Sequence, residues 1–280
     1  MPARTLERTL MAVYEKTAAR TAAVPPSRRS CPQFEARVLA VTDLSPAFRR
    51  VTLATPDVRE LRLMGPDEYL GLFMPPPGRA VALPDADAVN PRSALASVPE
   101  AERPELRWYT VRAHRPEDGE LDVDVVSTGH DGPGARWIAA VRPGDRVGVR
   151  AMTAPYASAP PAGHHLLLAD ETGLPGMLAV LDSAPAGVRF TCVAEVPGDE
   201  HLHEEVTRAP ITVVRRGDAA PGSALLPALE ALEPTRVDYA WVCAEGGTAA
   251  AARRHLVRER GLARRSVFSS GFWRTGGPRP

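Results

Sequence analysis

The chain has 280 residues, long enough for two domains that each bury a core of their own. Hydrophobic residues make up 44% and charged residues 24%, the balance of globular domains rather than of disordered or membrane-spanning chains. The 34 basic and 34 acidic side chains cancel, which removes the electrostatic case for a nucleic-acid partner.

In chain order, residues 1–21 place Leu6, Leu10, Val13 and Tyr14 at near-helical spacing between charges, so an amphipathic helix is expected there. A proline-rich linker up to Pro32 follows, and 1–32 read as an extension: a loosely docked helix, or the contact of a homodimer. From Phe34 to Ala151 the pattern turns strand-like. Alternating runs at 34–41, 50–54, 69–74, 106–113, 121–126 and 146–150 are separated by Pro, Gly and Asp turns, as in a β-barrel or sandwich. Pro75–Pro104 breaks the pattern, has no periodicity and reads as a long surface loop. A short helix is expected over 132–140. Residues 156–163 read as an interdomain linker. Beyond it, strands at 164–170, 189–196, 211–214, 238–244 and 266–273 alternate with helices at 174–182, 225–232 and 248–261, the last stopped by Gly261. That alternation predicts a mostly parallel sheet covered by helices, with ligands beyond the carboxyl ends of its strands. The expected domains are therefore an extension (1–32), a barrel (33–158) and an α/β domain (159–280).

Cys31, Cys192 and Cys243 are odd in number and widely spaced, which fits reduced thiols and not a disulfide framework or zinc site. No apolar run reaches the roughly 20 residues of a membrane span, and no secretory signal opens the chain, so a cytoplasmic location and no membrane partner are expected. Lys16 is the only lysine; cationic contacts to phosphate or carboxylate must come from arginine or from backbone N–H groups. His201-x-His203 with Glu204 and Glu205 invites a metal reading, but such pairs more often mark a polar loop or helix start, and no metal is expected. Neither a nucleophile elbow nor a phosphate-binding P-loop is present.

Two segments carry chemistry. In RWYTVR (107–112), strand alternation puts Arg107, Tyr109 and Val111 on one face and Trp108, Thr110 and Arg112 on the other. At a strand end such a set can serve a flavin: an arginine for the pyrophosphate, a tyrosine ring for the isoalloxazine, a threonine for N5. It is equally the pattern of an amphipathic strand. In DGPGARW (131–137), small residues at a helix start leave N–H groups open to an anion, and the helix dipole favours negative charge there.

These runs, with GELDVDVV (119–126), RPGDRVG (142–148), LADETGLPG (168–176), YAWVCAEG (239–246), RRHLVRERGL (253–262) and SGFWRTG (270–276), make the chain similar over roughly 33–276 to the siderophore-interacting family of ferric-siderophore reductases. The resemblance implies a Greek-key antiparallel barrel that holds FAD, followed by a mostly parallel α/β nicotinamide-type domain. It implies that Arg107, Tyr109, Thr110, Val111, Asp124 and Val126 hold the flavin, with Tyr109 and Thr110 at its reacting edge. Gly132, Pro133, Gly134 and Ala135 would hold its pyrophosphate. Asp170, Glu171 and Thr172 would meet the second substrate, and the turn Glu245-Gly246-Gly247 would open the nucleotide side. Thr172 and Trp273 would lie near the cofactor, and Arg112 and Arg274, with Arg49 and Arg50, would form an electropositive mouth for the substrate. The implied reaction passes a hydride from NAD(P)H to FAD and single electrons onward to a ferric siderophore.

The chain departs from the family at three places. The third barrel strand, YLGLF (69–73), lacks a basic residue; His130 is displaced from the glycine-rich turn; and AMTAPY (151–156) replaces a Gly-Pro-Arg-Gly-type turn. Two other readings stay open: an FAD enzyme recruited to a small organic metabolite, with FAD redox-active or not, and a chelate or flavin carrier without turnover.

Overall fold

The computed structural model describes residues 22–28, 30–129, 132–233 and 235–276. The expected helix within 1–21, the dimer contact assigned to it, and His130 lie outside the described residues. The described residues divide into two compact units, one of 26–154 and one of 155–276 together with 22–25.

The first unit is a closed six-stranded barrel of β1 (Gln33–Ser45), β2 (Phe48–Ala54), β3 (Tyr69–Met74), β4 (Glu105–Arg115), β5 (Glu120–Val126) and β6 (Arg146–Ala151). All neighbours run antiparallel in the order β1-β2-β5-β4-β3-β6, and β6 closes onto β1, which is Greek-key connectivity. Alternation sends Phe34, Ala36, Val38, Val51, Leu53, Leu70, Leu72, Val123 and Val149 into one core. A short helix α1 (Asp57–Glu60) follows β2. Ahead of β1, Arg28 grips the buried Glu68 carboxylate at 2.6 and 2.8 Å.

The segment between β3 and β4 is not the structureless loop its composition predicts. It contains helix α2 (Pro91–Ala94), capped by the Asn90 side chain, and two 3-10 turns, Leu95–Ser97 and Glu100–Glu102. Leu83, Leu95 and Val98 pack onto Phe73, Leu106 and Trp108 on the outer barrel face. Glycines make room for it: a Cβ at Gly148 would come within 2.3 Å of Leu83, and one at Gly71 within 2.8 Å of Trp108. Buried Arg150 of β6 ties it down, donating to Ala88 O (2.7 Å) and Gln33 Oε1 (3.2 Å), while Gln33 donates to Pro84 O (2.7 Å). The segment lacks periodicity because its apolar residues are isolated and their partners come from strands. Helix α3 (Pro133–Ala140) follows β5 and sends Ile138 and, next to its end, Val141 into the barrel core.

The second unit is a parallel sheet of β7 (Gly163–Asp170), β8 (Val188–Val196), β9 (Thr212–Arg215), β10 (Tyr239–Glu245) and β11 (Val267–Trp273) in the order β11-β10-β7-β8-β9. Helices α4 (Leu174–Asp182), α5 (Glu204–Arg208), α6 (Leu225–Ala231) and α7 (Gly246–Arg258) connect the strands. β7 and β10 are buried on both faces, hence their continuous apolar runs. Gly261, at φ 70°, turns the chain after α7 so that Leu262 N–H reaches Leu256 O at 3.0 Å, the glycine stop expected there. Tyr156, read as linker, is buried against His165, Phe190 and Tyr239 of this unit. The strand order reverses between β7 and β10, which makes their carboxyl ends the switch point of the sheet.

Candidate functional site

On β4 the expected alternation holds from Arg107 to Val111. Arg107 and Tyr109 stand opposite Leu72 and Leu70 of β3, and Val111 is in the barrel core. Their row meets the start of α3. A Cβ on Gly134 would lie 2.3 Å from Tyr109 Oη and 3.8 Å from Arg107 Cγ, so only glycine lets the phenol sit under the helix. Trp137 packs beside the Tyr109 ring at 6.5 Å. Burial pushes the Tyr109 hydroxyl up to about 12 against the opposing pull of Arg107. The structure thus brings Arg107, Tyr109 and Gly134 together.

The start of α3 suits an anion. Gly132 is the cap residue, Pro133 follows, and no side chain caps the helix. Space is open on the Cβ side of Gly132. Arg107, whose guanidinium stays near the surface with Glu105 at 3.5 Å, adds positive charge. These residues fit a diphosphate such as that of FAD, held by backbone N–H groups of Gly134 and Ala135 and by Arg107.

Other expected residues are elsewhere. Thr110 is buried on the opposite face of β4, paired with Tyr69, where Trp108 meets the Tyr69 ring edge-on at 5.8 Å. Asp124 is in the outer row of β5, its buried carboxylate gripped by Arg50 at 2.7 and 2.8 Å. Asp122, one rung along, takes Arg115 and Thr52. Asp124 thus lies on the β5 face opposite Val123 and Val125, whereas Arg107 shares its β4 face with Val111. Val126 ends β5 opposite Phe48. Arg112 sits at the bulge between Val111 and Ala113. Arg49 donates to Asp43 and to Ile138 O, and Arg50 to Asp124.

In the α/β unit the switch point centres on Asp170, 1% exposed. Its Oδ1 accepts from Thr172 N (2.9 Å) and Oγ1 (2.6 Å); its Oδ2 accepts from Glu245 N (2.7 Å) and Trp273 Nε1 (2.8 Å). Burial and the neighbouring Glu171 charge push the Asp170 carboxyl up to about 7, against those donors. Thr172 and Trp273, expected as cofactor neighbours, therefore converge on one carboxylate. Gly173 is obligatory behind them, since a Cβ there would come within 2.3 Å of Cys243 O. Glu171 is held by Arg216 at 2.8 Å to each oxygen, and Glu195 by Gly222, Ala224 and Leu225 N–H groups. Arg216 and Glu195 were not legible as part of this edge, because Arg216 and Glu171 are 45 residues apart. The Glu245 side chain caps α7, accepting from Gly247 N (2.6 Å) and Thr248 N (3.0 Å). Arg274 is exposed beside Gly246.

His201 closes a 3-10 turn and His203 precedes α5. Among the described residues no three His, Cys, Asp or Glu side chains cluster as metal ligands. No described helix is long and apolar enough to cross a membrane.

Comparison with known proteins agrees with this geometry. Residues 37–157 match the model of the siderophore-interacting FAD-binding domain, and 162–276 that of the siderophore-interacting protein. A siderophore utilization protein from T. fusca is 30% identical, with a TM-score of 0.75 over 92% of this chain and 98% of that one. The siderophore-interacting protein SipS of Aeromonas hydrophila is 28% identical, with a TM-score of 0.69 over 88% of this chain and 93% of that one. The ferric vibriobactin reductase ViuB of Vibrio cholerae is 27% identical over 180 residues, 62% of this chain and 66% of that protein. A barrel matching the FAD-binding model, an α/β unit matching the siderophore-interacting model, and a 30% identical relative covered almost end to end establish that the chain belongs to the siderophore-interacting protein family, as an FAD-binding oxidoreductase.

Proposed function

We propose that the chain reduces a ferric siderophore with electrons from NAD(P)H. When bound, FAD supplies the conversion of a two-electron hydride into single electrons. In balance, one NAD(P)H and two iron(III) chelates give NAD(P)+, a proton and two iron(II), which hard-oxygen chelators hold weakly. The reading is carried by Arg107 and Tyr109 under the uncapped, glycine-built start of α3, in a barrel of the FAD-binding family.

In this reading Arg107, with Gly132, Pro133, Gly134 and Ala135, neutralises and orients the diphosphate. Tyr109 holds the helix start at its height, and Thr110 and Val111 on β4 and Val126 at the end of β5 are assigned to the flavin. Thr172 and Trp273 form the donor-side edge. Arg112 and Arg274 attract the anionic chelate, and Asp124 serves the barrel wall through Arg50. The domain borders at 32 and 158, a cytoplasmic location and a homodimer through 1–21 belong to the same proposal.

The uncharged outer row Tyr69, Gly71, Phe73 favours a second reading, an FAD enzyme acting on a small organic metabolite. Anaerobic titration of the FAD-loaded protein with NADPH, then NADH, decides. Bleaching of the visible band, reversed by a ferric chelate, supports the reductase. A band that both nicotinamides leave unchanged rules out nicotinamide-driven reduction.

A further inference from the structure

We propose that Asp170 is a positioning residue that fixes the Trp273 ring at the carboxyl edge of the parallel sheet, and so sets how the α/β unit presents that ring to a planar ligand. The ligand part rests on the donor-side reading above; the positioning part does not.

The carboxylates at this edge divide their donors among themselves. Glu171 is taken by Arg216, Glu195 by three backbone N–H groups at the start of α6, and Glu245 by the start of α7. Asp170 takes the Trp273 indole N–H. An indole has one hydrogen-bonding atom, so its partner fixes the direction of the ring plane about the side-chain torsions. The same Oδ2 takes the Glu245 backbone N–H at 2.7 Å, which fixes the height of the β10 end that pairs with Trp273 just after a register shift. The two Thr172 donors hold Oδ1, so the carboxylate cannot turn without breaking contacts on both sides. One group thus joins the ends of β7, β10 and β11.

The arrangement depends on both oxygens being acceptors. In Asp170→Asn one oxygen becomes an NH2, and either orientation of the amide points N–H at N–H on one side. Protonation of Asp170 has a milder form of the same effect. The charged or titratable groups around it are Glu171 after β7, Glu195 at the end of β8, Arg216 after β9, Glu245 at the end of β10, and Arg274 after β11. With the carboxyl raised to about 7, protonation falls near neutral pH.

The test is the indole N–H spectrum of the 15N-labelled, FAD-loaded full chain. Trp108, Trp137, Trp241 and Trp273 each contribute one signal, and the signal lost in Trp273→Phe is that of Trp273. It is expected to move with pH about a midpoint near 7 and, in Asp170→Asn, to be displaced and no longer titrate near neutrality. Reduction by the nicotinamide that works on the parent protein is expected to slow about tenfold in Asp170→Asn. In the Trp273→Phe background, adding Asp170→Asn is expected to slow it much less. A Trp273 signal that Asp170→Asn leaves in place overturns the proposal, and Asp170→Ala, read in the same spectrum, serves if Asp170→Asn does not fold. An equal loss of rate with and without Trp273 also overturns it. If neither nicotinamide reduces the flavin while the Trp273 signal titrates as stated, the donor reading fails and the positioning role stands.

Discussion

At Gly134 a single methyl group is expected to reverse its effect according to what lies beneath it. In Gly134→Ala the new Cβ meets Tyr109 Oη at 2.3 Å, about 1 Å inside ordinary contact. The phenol is rigid and packed beside Trp137, so α3 must lift or the ring must tilt. Overpacking of this kind costs about 1–3 kcal/mol, and roughly each 1.4 kcal/mol carried into FAD binding weakens it tenfold. Tyr109→Phe removes the offending oxygen. The nearest remaining atoms are the ring Cζ at 3.6 Å and Arg107 Cγ at 3.8 Å, both ordinary contacts. In that background Gly134→Ala loses its clash and keeps the helix preference of alanine over glycine, up to about 1 kcal/mol. Urea unfolding and FAD titration of the parent, both single variants and the double variant measure this. The expected pattern is loss of stability and FAD affinity in Gly134→Ala, and equal or better stability when it is added to Tyr109→Phe. A loss of the same size in both backgrounds would refute the packing of Tyr109 under α3.

Three further outcomes are expected. Arg216→Met leaves Glu171 and Glu195 buried beside each other without their shared cation, and should lower the urea-unfolding free energy by about 3–5 kcal/mol; Arg208→Ala, which breaks the exposed Arg208–Glu204 pair, should change it by no more than about 0.5 kcal/mol. Asp170 keeps its proton to about pH 7 when folded, whereas an unfolded aspartate loses it near pH 4. Between those values the folded state holds the extra proton, so this group's contribution to stability falls as pH rises from about 4 to about 7 and is level above; unfolding of the parent against Asp170→Asn isolates that slope, and a flat line would show the carboxyl to be ionised in the fold. Arg150→Met keeps side-chain bulk but frees Ala88 O and Gln33, so limited proteolysis should cut within 75–104 faster than in the parent.

Much of the fold was legible because it is periodic. Alternation in 34–54 and 106–126 marks strands with one buried row, and the change of pattern after residue 163 marks the parallel sheet. The same rule assigned Arg107 and Tyr109 to one face of β4, and the small residues at 132–135 marked a helix start open to an anion. These are local properties: a strand's two faces and a helix's first N–H groups are set within a few residues.

What the sequence by itself determined is therefore the list of elements, the face each side chain takes, and, through its motifs, the family. Tertiary structure alone decided which faces meet. Asp170 and Trp273 are 103 residues apart, and no local pattern couples them. Closure of β6 onto β1 turned Gly148 and Arg150 toward the 75–104 segment and gave that irregular stretch a core. Pairing of β2 with β5 set Arg50 against Asp124, two residues a motif reading had assigned to different parts of the site. The physical reason is common to all three: a hydrogen bond or ion pair depends on distance in space, and the chain brings such groups together only after its sheets have closed.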